Sequence, residues 1–188
     1  ITRRKMNNTM EPFRKFLMMI DHFDSVVRTS VFLMGSVVLG EEFPEFCRST
    51  GLEERPSLGT WVQALRKLGK REGQQAANLE ISTDLLERLV DVATLADRDQ
   101  IVSIRNTMRG HGYIEIGDSS YREYFEKYLP TIQRIENILR PLFVHYPLYL
   151  TDSINRVRGN TFRIRVKPLM GSHPDFLDDK IDFSNPAP

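Results

Sequence analysis

Between Met10 and Leu39, the apolar residues Phe13, Phe16, Leu17, Ile20, Phe23, Val27, Val31 and Met34 recur at steps of three and four. That period puts them on one side of a single long amphipathic helix, with Arg14, Lys15, Asp21, Asp24, Ser25 and Arg28 on the other. A helix of about 30 residues is about 45 Å long. Its apolar stripe needs partners over that whole length, so the rest of the chain must supply further helices or a sheet to cover it. Gly35 and Gly40 are expected to bend or end it.

The sequence downstream supplies helices. A short one is expected around Phe43 to Arg48. Ser57, after Pro56, has the chemistry of an N-cap for a helix carrying Leu58, Trp61, Val62, Leu65 and Leu68, ended by Gly69 and Gly73. Lys70 to Asn78 reads as a polar loop. Ser82 opens a helix with Leu85, Leu86, Leu89, Val92, Ala93 and Leu95 on one side and Asp84 and Glu87 near its N-terminus, where the dipole favours acids. A break is expected near Ala96-Asp97, after which Ile101, Val102, Ile104 and Met108 carry helicity to Gly110 or Gly112. Asp118-Ser119-Ser120 begins a last long helix to about Leu142, kinked at Pro130.

Beyond Pro141 the period changes to two. Phe162, Ile164 and Val166 alternate with Arg163, Arg165 and Lys167, and Tyr146 to Leu150 is the expected partner strand of a small β-hairpin. Gly171 to Pro188 reads as an extended tail. The expected fold is therefore mostly α: an antiparallel bundle of four to five helices over residues 1–145, followed by a C-terminal β-hairpin appendage and tail over 146–188.

The 188 residues suffice for one globular domain. The single Cys47 rules out an internal disulfide and is expected to be a buried small hydrophobe in a cytoplasmic protein. The longest apolar run, Thr29 to Leu39, falls short of the roughly 20 residues that span a bilayer, so no membrane partner is expected. The first residues are Ile1-Thr-Arg-Arg-Lys, without an initiator Met, and a piece of a longer protein is expected. A net charge of +1 points to no particular partner. Phosphate-binding glycine loops and zinc-type Cys/His spacings are missing from the sequence, and neither cofactor nor metal is expected. His22, beside Asp21 and Asp24, is expected to be a surface residue. His145 and His173 have no carboxylate or nucleophile pattern around them.

One segment suggests chemistry: Arg105-Asn106-Thr107-Met108-Arg109-Gly110-His111-Gly112-Tyr113, at the expected end of a helix. An Arg followed by a polar residue, then four residues and a His, within a helical domain, resembles the HEPN superfamily and its Arg-x(4–6)-His signature. The His111-Gly112-Tyr113 ending resembles the His-x-Tyr form of some toxin members. The resemblance covers roughly residues 10 to 145. It implies a metal-independent endoribonuclease, active as a homodimer, in a defence, toxin–antitoxin or stress-response setting. Arg105, Asn106 and His111 would be its catalytic residues, and Tyr113 a site of regulatory modification.

The chemistry suits those residue types. A neutral His with an unperturbed pKa of roughly 6.5 can take the 2′-OH proton of RNA, and a guanidinium can bind the charge that grows on the phosphate. Residues six apart on a helix are separated by about 240°, so Arg105 and His111 do not share a face. Two antiparallel copies, or a helix that ends at Gly110, would bring them together. Arg109 and the strand cations Arg163, Arg165 and Lys167 are candidate RNA contacts, a row of cations at strand spacing meeting successive phosphates. The alternative is a noncatalytic helical module that dimerises, or binds a nucleotide or partner domain, in a larger signalling protein; Arg109 and His111 would then merely complement a helix dipole.

Overall fold

A computed structural model describes residues 11–71, 83–110, 118–146, 149–158, 161–168 and 179–184 of the chain. Its helices are α1 (Pro12–Leu39), α2 (Phe43–Thr50), α3 (Leu58–Gly69), α4 (Thr83–Arg98), α5 (Ile101–Gly110) and α6 (Asp118–His145), and its strands are β1 (Tyr149–Arg158), β2 (Thr161–Pro168) and β3 (Asp179–Ser184). The protein is thus a mostly α bundle with a small C-terminal antiparallel sheet. Contacts divide it into two compact units, one reaching Leu142 and the other beginning at Phe143.

The long stripe of α1 is the centre of the helical unit. Phe16, Met19, Ile20, Phe23, Val27, Val31 and Met34 are all buried. Each such side chain contributes about 1.5–3 kcal/mol by leaving water. One helical stretch, Pro12–Thr50, is long and apolar enough to cross a membrane by length and composition, with a mean hydropathy of 1.3 and 44% of that window buried within the protein. Those same α1 side chains form the core, which accounts for the composition.

Gly40 ends α1 with φ 51°, and a three-residue 3-10 turn leads into α2. Gly35 has a different role: a Cβ there would lie 2.1 Å from the Phe43 ring, so glycine lets α2 fold back onto α1. Ser57 caps α3, its Oγ accepting from Thr60 N at 3.2 Å. Gly69 is the last residue of α3, and a Cβ on it would meet Leu86 O at 2.6 Å, so it also sets how closely α4 approaches. Arg66, one turn earlier, reaches Ala93 and Asp97 further along α4, so α3 and α4 run antiparallel.

The helix expected to break near Ala96-Asp97 continues to Arg98. The turn falls at Asp99-Gln100, where Gln100 takes φ 55°. The last helix runs through Pro130 and Pro141 to His145, beyond the expected end at Leu142. Tyr121, Tyr128, Ile132, Ile135, Leu139 and Leu142 form its buried stripe. Phe13 meets Tyr121 with ring centroids 4.9 Å apart, Phe16 meets Tyr124 at 6.0 Å, and His22 meets Glu136, so α1 and α6 advance in the same direction. Being far apart in sequence, they are free of the reversal that a short connection imposes on α3 and α4.

In the C-terminal unit the sheet has the order β1-β2-β3, antiparallel throughout. Two expectations are corrected. The partner strand is Tyr149–Arg158, not Tyr146 to Leu150, and the tail carries a third strand, Asp179–Ser184, in which Ile181 and Phe183 alternate with Lys180 and Asp182. Ile181 stands opposite Ile164 and Phe183 opposite Phe162 in the register of β2 and β3. That pairing is the physical reason a six-residue segment holds a strand.

Candidate functional site

The motif helix α5 is positioned by the residues it buries. Ile101 and Met108 are fully enclosed, while Ile104 and Arg105 are half-buried. These four stand at i, i+3, i+4 and i+7, which is one stripe of a helix. Arg105 therefore occupies a place on the stripe facing the core, where an aliphatic residue would ordinarily stand. Its Nη1 donates to Asn106 Oδ1 at 3.1 Å, and its Nε is buried with no hydrogen-bond partner among the described residues. A buried donor left unpaired costs about 1–3 kcal/mol.

Asn106 is exposed beside it, and Thr107 donates to Ser103 O at 3.1 Å. A groove of about 520 Å³ opens along this side of α5, lined by Asp97, Gln100, Val102, Ser103, Asn106 and Thr107. Asp97 at its edge pairs with Arg66, which also donates to Ala93 O at 3.2 Å. A second cavity, of about 420 Å³, lies where the α4–α5 turn faces α6. It is lined by Arg98, Asp99, Gln100, Lys127, Tyr128 and Thr131. Asp99 accepts from Arg98 Nε at 2.7 Å and Nη2 at 2.9 Å. The Arg98 hydrogen bonds foremost, and the Thr131 hydroxyl next, hold the Asp99 carboxyl down at about 2.

The motif is thus described in part. Arg105 and Asn106 are adjacent and hydrogen-bonded; His111 and Tyr113 lie outside the described residues, as does the side chain of Arg109. The helix is continuous through Gly110, the residue before His111. Arg163 and Arg165 belong to the other compact unit, on a face of the sheet where Asp182 stands opposite Arg163 and Lys180 opposite Arg165. Lys167 is on β2, opposite Leu150, its side chain outside the described residues.

Two expectations for single residues change. His22 is not a surface residue: its Nε2 lies 2.5 Å from Glu136 Oε1, with each side chain 17% exposed. Glu136 is 114 residues away, and no local pattern announced it. Cys47 is half-buried rather than enclosed, its thiol pushed up by burial and then by the charge of Glu53. The cluster around Asp99 was also missed, because Thr131, which donates to it, and Arg134, whose charge acts on it, come from a different helix. Among the described residues no group of three or more His, Cys, Asp or Glu side chains is arranged to hold a metal. No protein-family model, curated protein or solved structure matches the chain.

Proposed function

We propose that the chain is an HEPN-like endoribonuclease that cleaves RNA by attack of its own 2′-OH, with Arg105, Asn106 and His111 as its working residues. The observation that carries this reading is the placement of Arg105: a guanidinium on the core-facing stripe of α5, with a desolvated Nε–H lacking an acceptor and its other arm held by Asn106. Folding alone would favour an aliphatic residue there. The outer edge of the guanidinium, where Nη1 reaches the exposed Asn106, is open to a phosphate, and such an edge can meet two oxygens at once.

In the proposed reaction His111 takes the 2′-OH proton, the 2′-oxygen bonds to phosphorus, and the bond from phosphorus to the 5′-oxygen breaks. The leaving oxygen takes a proton, giving a 5′-hydroxyl and a 2′,3′-cyclic phosphate. Arg105 stabilises the charge on the nonbridging oxygens, and Asn106 holds the guanidinium in register. A homodimer that sets the Arg105 of one copy beside the His111 of the other is part of the reading, since the two are about 240° apart on one helix.

The test is cleavage of a mixed RNA pool by the purified chain in EDTA, comparing wild type with Arg105→Ala and His111→Ala. Loss of cleavage in both variants, with cyclic phosphate ends from the wild type, supports the reading. A folded, dimeric wild-type chain that leaves the pool intact overturns it.

A further inference from the structure

The groove beside α5 has a lining unlike that of a phosphate site. Among the described residues it holds no cation, and its one charge is the Asp97 carboxylate. Arg66, the ion-pair partner of Asp97, is committed: it donates to Asp97 Oδ2, Ala93 O and Gln63 Oε1. Asp97 is half-exposed, and its Oδ1 has no hydrogen-bond partner among the described residues. Gln100, Ser103 and Asn106 stand at i, i+3 and i+6 in the lining and are exposed. The side chains of Gln100 and Ser103 hold no hydrogen bond among the described residues, and Asn106, whose Oδ1 accepts from Arg105, keeps both Nδ2 donors. Ala96 and Val102 add apolar surface. A carboxylate with neutral amides and a hydroxyl beside apolar carbons repels a phosphate. It suits a flat, uncharged group rich in N–H donors, which is a nucleobase.

We propose that the groove receives the base of the nucleotide at the cut and selects guanine, with Asp97 as the residue that sets the choice. The inference rests on the ribonuclease reading for the phosphate at Arg105, and adds the base that the site prefers. Arg105 is not in the lining, but Asn106 is, and it accepts from Arg105 Nη1 at 3.1 Å. A phosphate on the outer edge of the guanidinium therefore stands at the Asn106 end of the groove. Gln100 is six residues back, about 9 Å along α5, and Asp97 is beside it, its O accepting from Gln100 N at 3.0 Å. A nucleotide bridges that length from phosphate to base edge. Guanine presents two adjacent donors, N1–H and N2–H, to the Asp97 carboxylate, which accepts with Oδ1 and the remaining lone pair of Oδ2, while the Gln100 amide donates to O6. Adenine and cytosine set an unprotonated ring nitrogen against the carboxylate, and uracil sets two carbonyl oxygens around a single N–H. Each leaves lone pairs facing a negative charge.

Binding of short DNA strands tests the subsite separately from cleavage, because DNA has no 2′-OH to attack. The full chain is titrated with four labelled trinucleotides that differ only in the middle base, dT-dG-dT, dT-dA-dT, dT-dC-dT and dT-dT-dT. Wild type is expected to bind the guanine strand at least about tenfold more tightly than the other three, the discrimination of one good bidentate pair. Asp97→Asn keeps an oxygen for Arg66 but replaces an acceptor with an N–H donor, and is expected to bind the four strands alike. Gln100→Ala removes the donor to O6 and is expected to weaken the guanine strand alone.

A wild type without preference for guanine, one that binds none of the strands, or an Asp97→Asn chain that keeps the preference overturns the subsite. If the preference is missing while the wild type cuts RNA, the subsite fails and the nuclease stands. If guanine is preferred through Asp97 while the wild type cuts nothing, the subsite stands and the nuclease fails. Should Asp97→Asn melt below the wild type through its pair with Arg66, Gln100→Ala decides, since that side chain is exposed and holds no hydrogen bond among the described residues. A guanine affinity unchanged in Gln100→Ala then overturns the proposal.

Discussion

Thr131 Oγ1 donates to Asp99 Oδ2 at 2.5 Å, joining the turn between α4 and α5 to the middle of α6. The bond spans 32 residues and closes one wall of the second cavity. It gives Asp99 a donor that an unfolded chain cannot keep in place.

Because the folded carboxyl sits at about 2 and an unfolded Asp at about 3.9, its stabilisation is fully present above about pH 4 and is lost as pH falls toward 2. Water reaches this carboxylate, and solvent screening holds its contribution to about 1 kcal/mol. Thr131→Val is expected to cost about 1 kcal/mol in urea unfolding at pH 7. That difference narrows as the measurement is repeated from about pH 4 down toward 2. A penalty that stays constant across that range would show that the hydroxyl does not act through the ionised Asp99.

Gly69 and Gly59 make a paired comparison on α3. A Cβ at Gly69 meets backbone, Leu86 O at 2.6 Å and Val90 N at 3.1 Å, whereas one at Gly59 meets Val102 Cγ1 at 3.4 Å. Gly69→Ala is expected to cost about 1–3 kcal/mol by forcing α3 and α4 apart. Gly59→Ala lies within about 0.5 kcal/mol of wild type or above it, since alanine favours the helix. Melting temperatures of the two variants check the order.

Gln100 holds φ 55° without being glycine. Its backbone N bonds Asp97 O at 3.0 Å and its O accepts from Ile104 N at 3.0 Å, so the turn is fixed by both neighbouring helices. Gln100→Gly is expected to raise stability by about 1 kcal/mol by removing the left-handed penalty of a side chain. A drop in stability by denaturant titration would mean that the Gln100 side chain itself supports the turn.

Arg105→Met separates stability from function. The methionine keeps apolar contacts on the α5 stripe and removes the buried Nε that lacks an acceptor. The expected outcome is a chain as stable as wild type, or more stable by about 1 kcal/mol, that no longer cuts RNA. A variant destabilised by several kcal/mol would identify Arg105 as a structural residue and remove the main support for the proposed site.

The helices were legible in the sequence because their signal is local. The α1 stripe, the Ser57 cap and the Phe162–Val166 alternation need only the neighbouring residues, and each stands in the structure where its pattern placed it. The break after α4 was placed three residues early, at Ala96-Asp97 rather than Asp99-Gln100, since nothing local shows that Gln100 accepts a left-handed turn. The third strand carried only two apolar residues, Ile181 and Phe183, and became a strand by pairing with β2. His22 found its acid across the bundle on α6, and Asp99 found Thr131 there as well.

The motif divides in the same way. The sequence determined that Arg105 and Asn106 lie on a helix, side by side. Only the tertiary structure decided that Arg105 faces inward with an unpaired donor, and that one cavity lies beside Asn106 and a second where the α4–α5 turn meets Lys127 and Thr131 of α6. Periodicity fixes which face of a helix is apolar, but the identity of the group that meets that face depends on how distant segments pack.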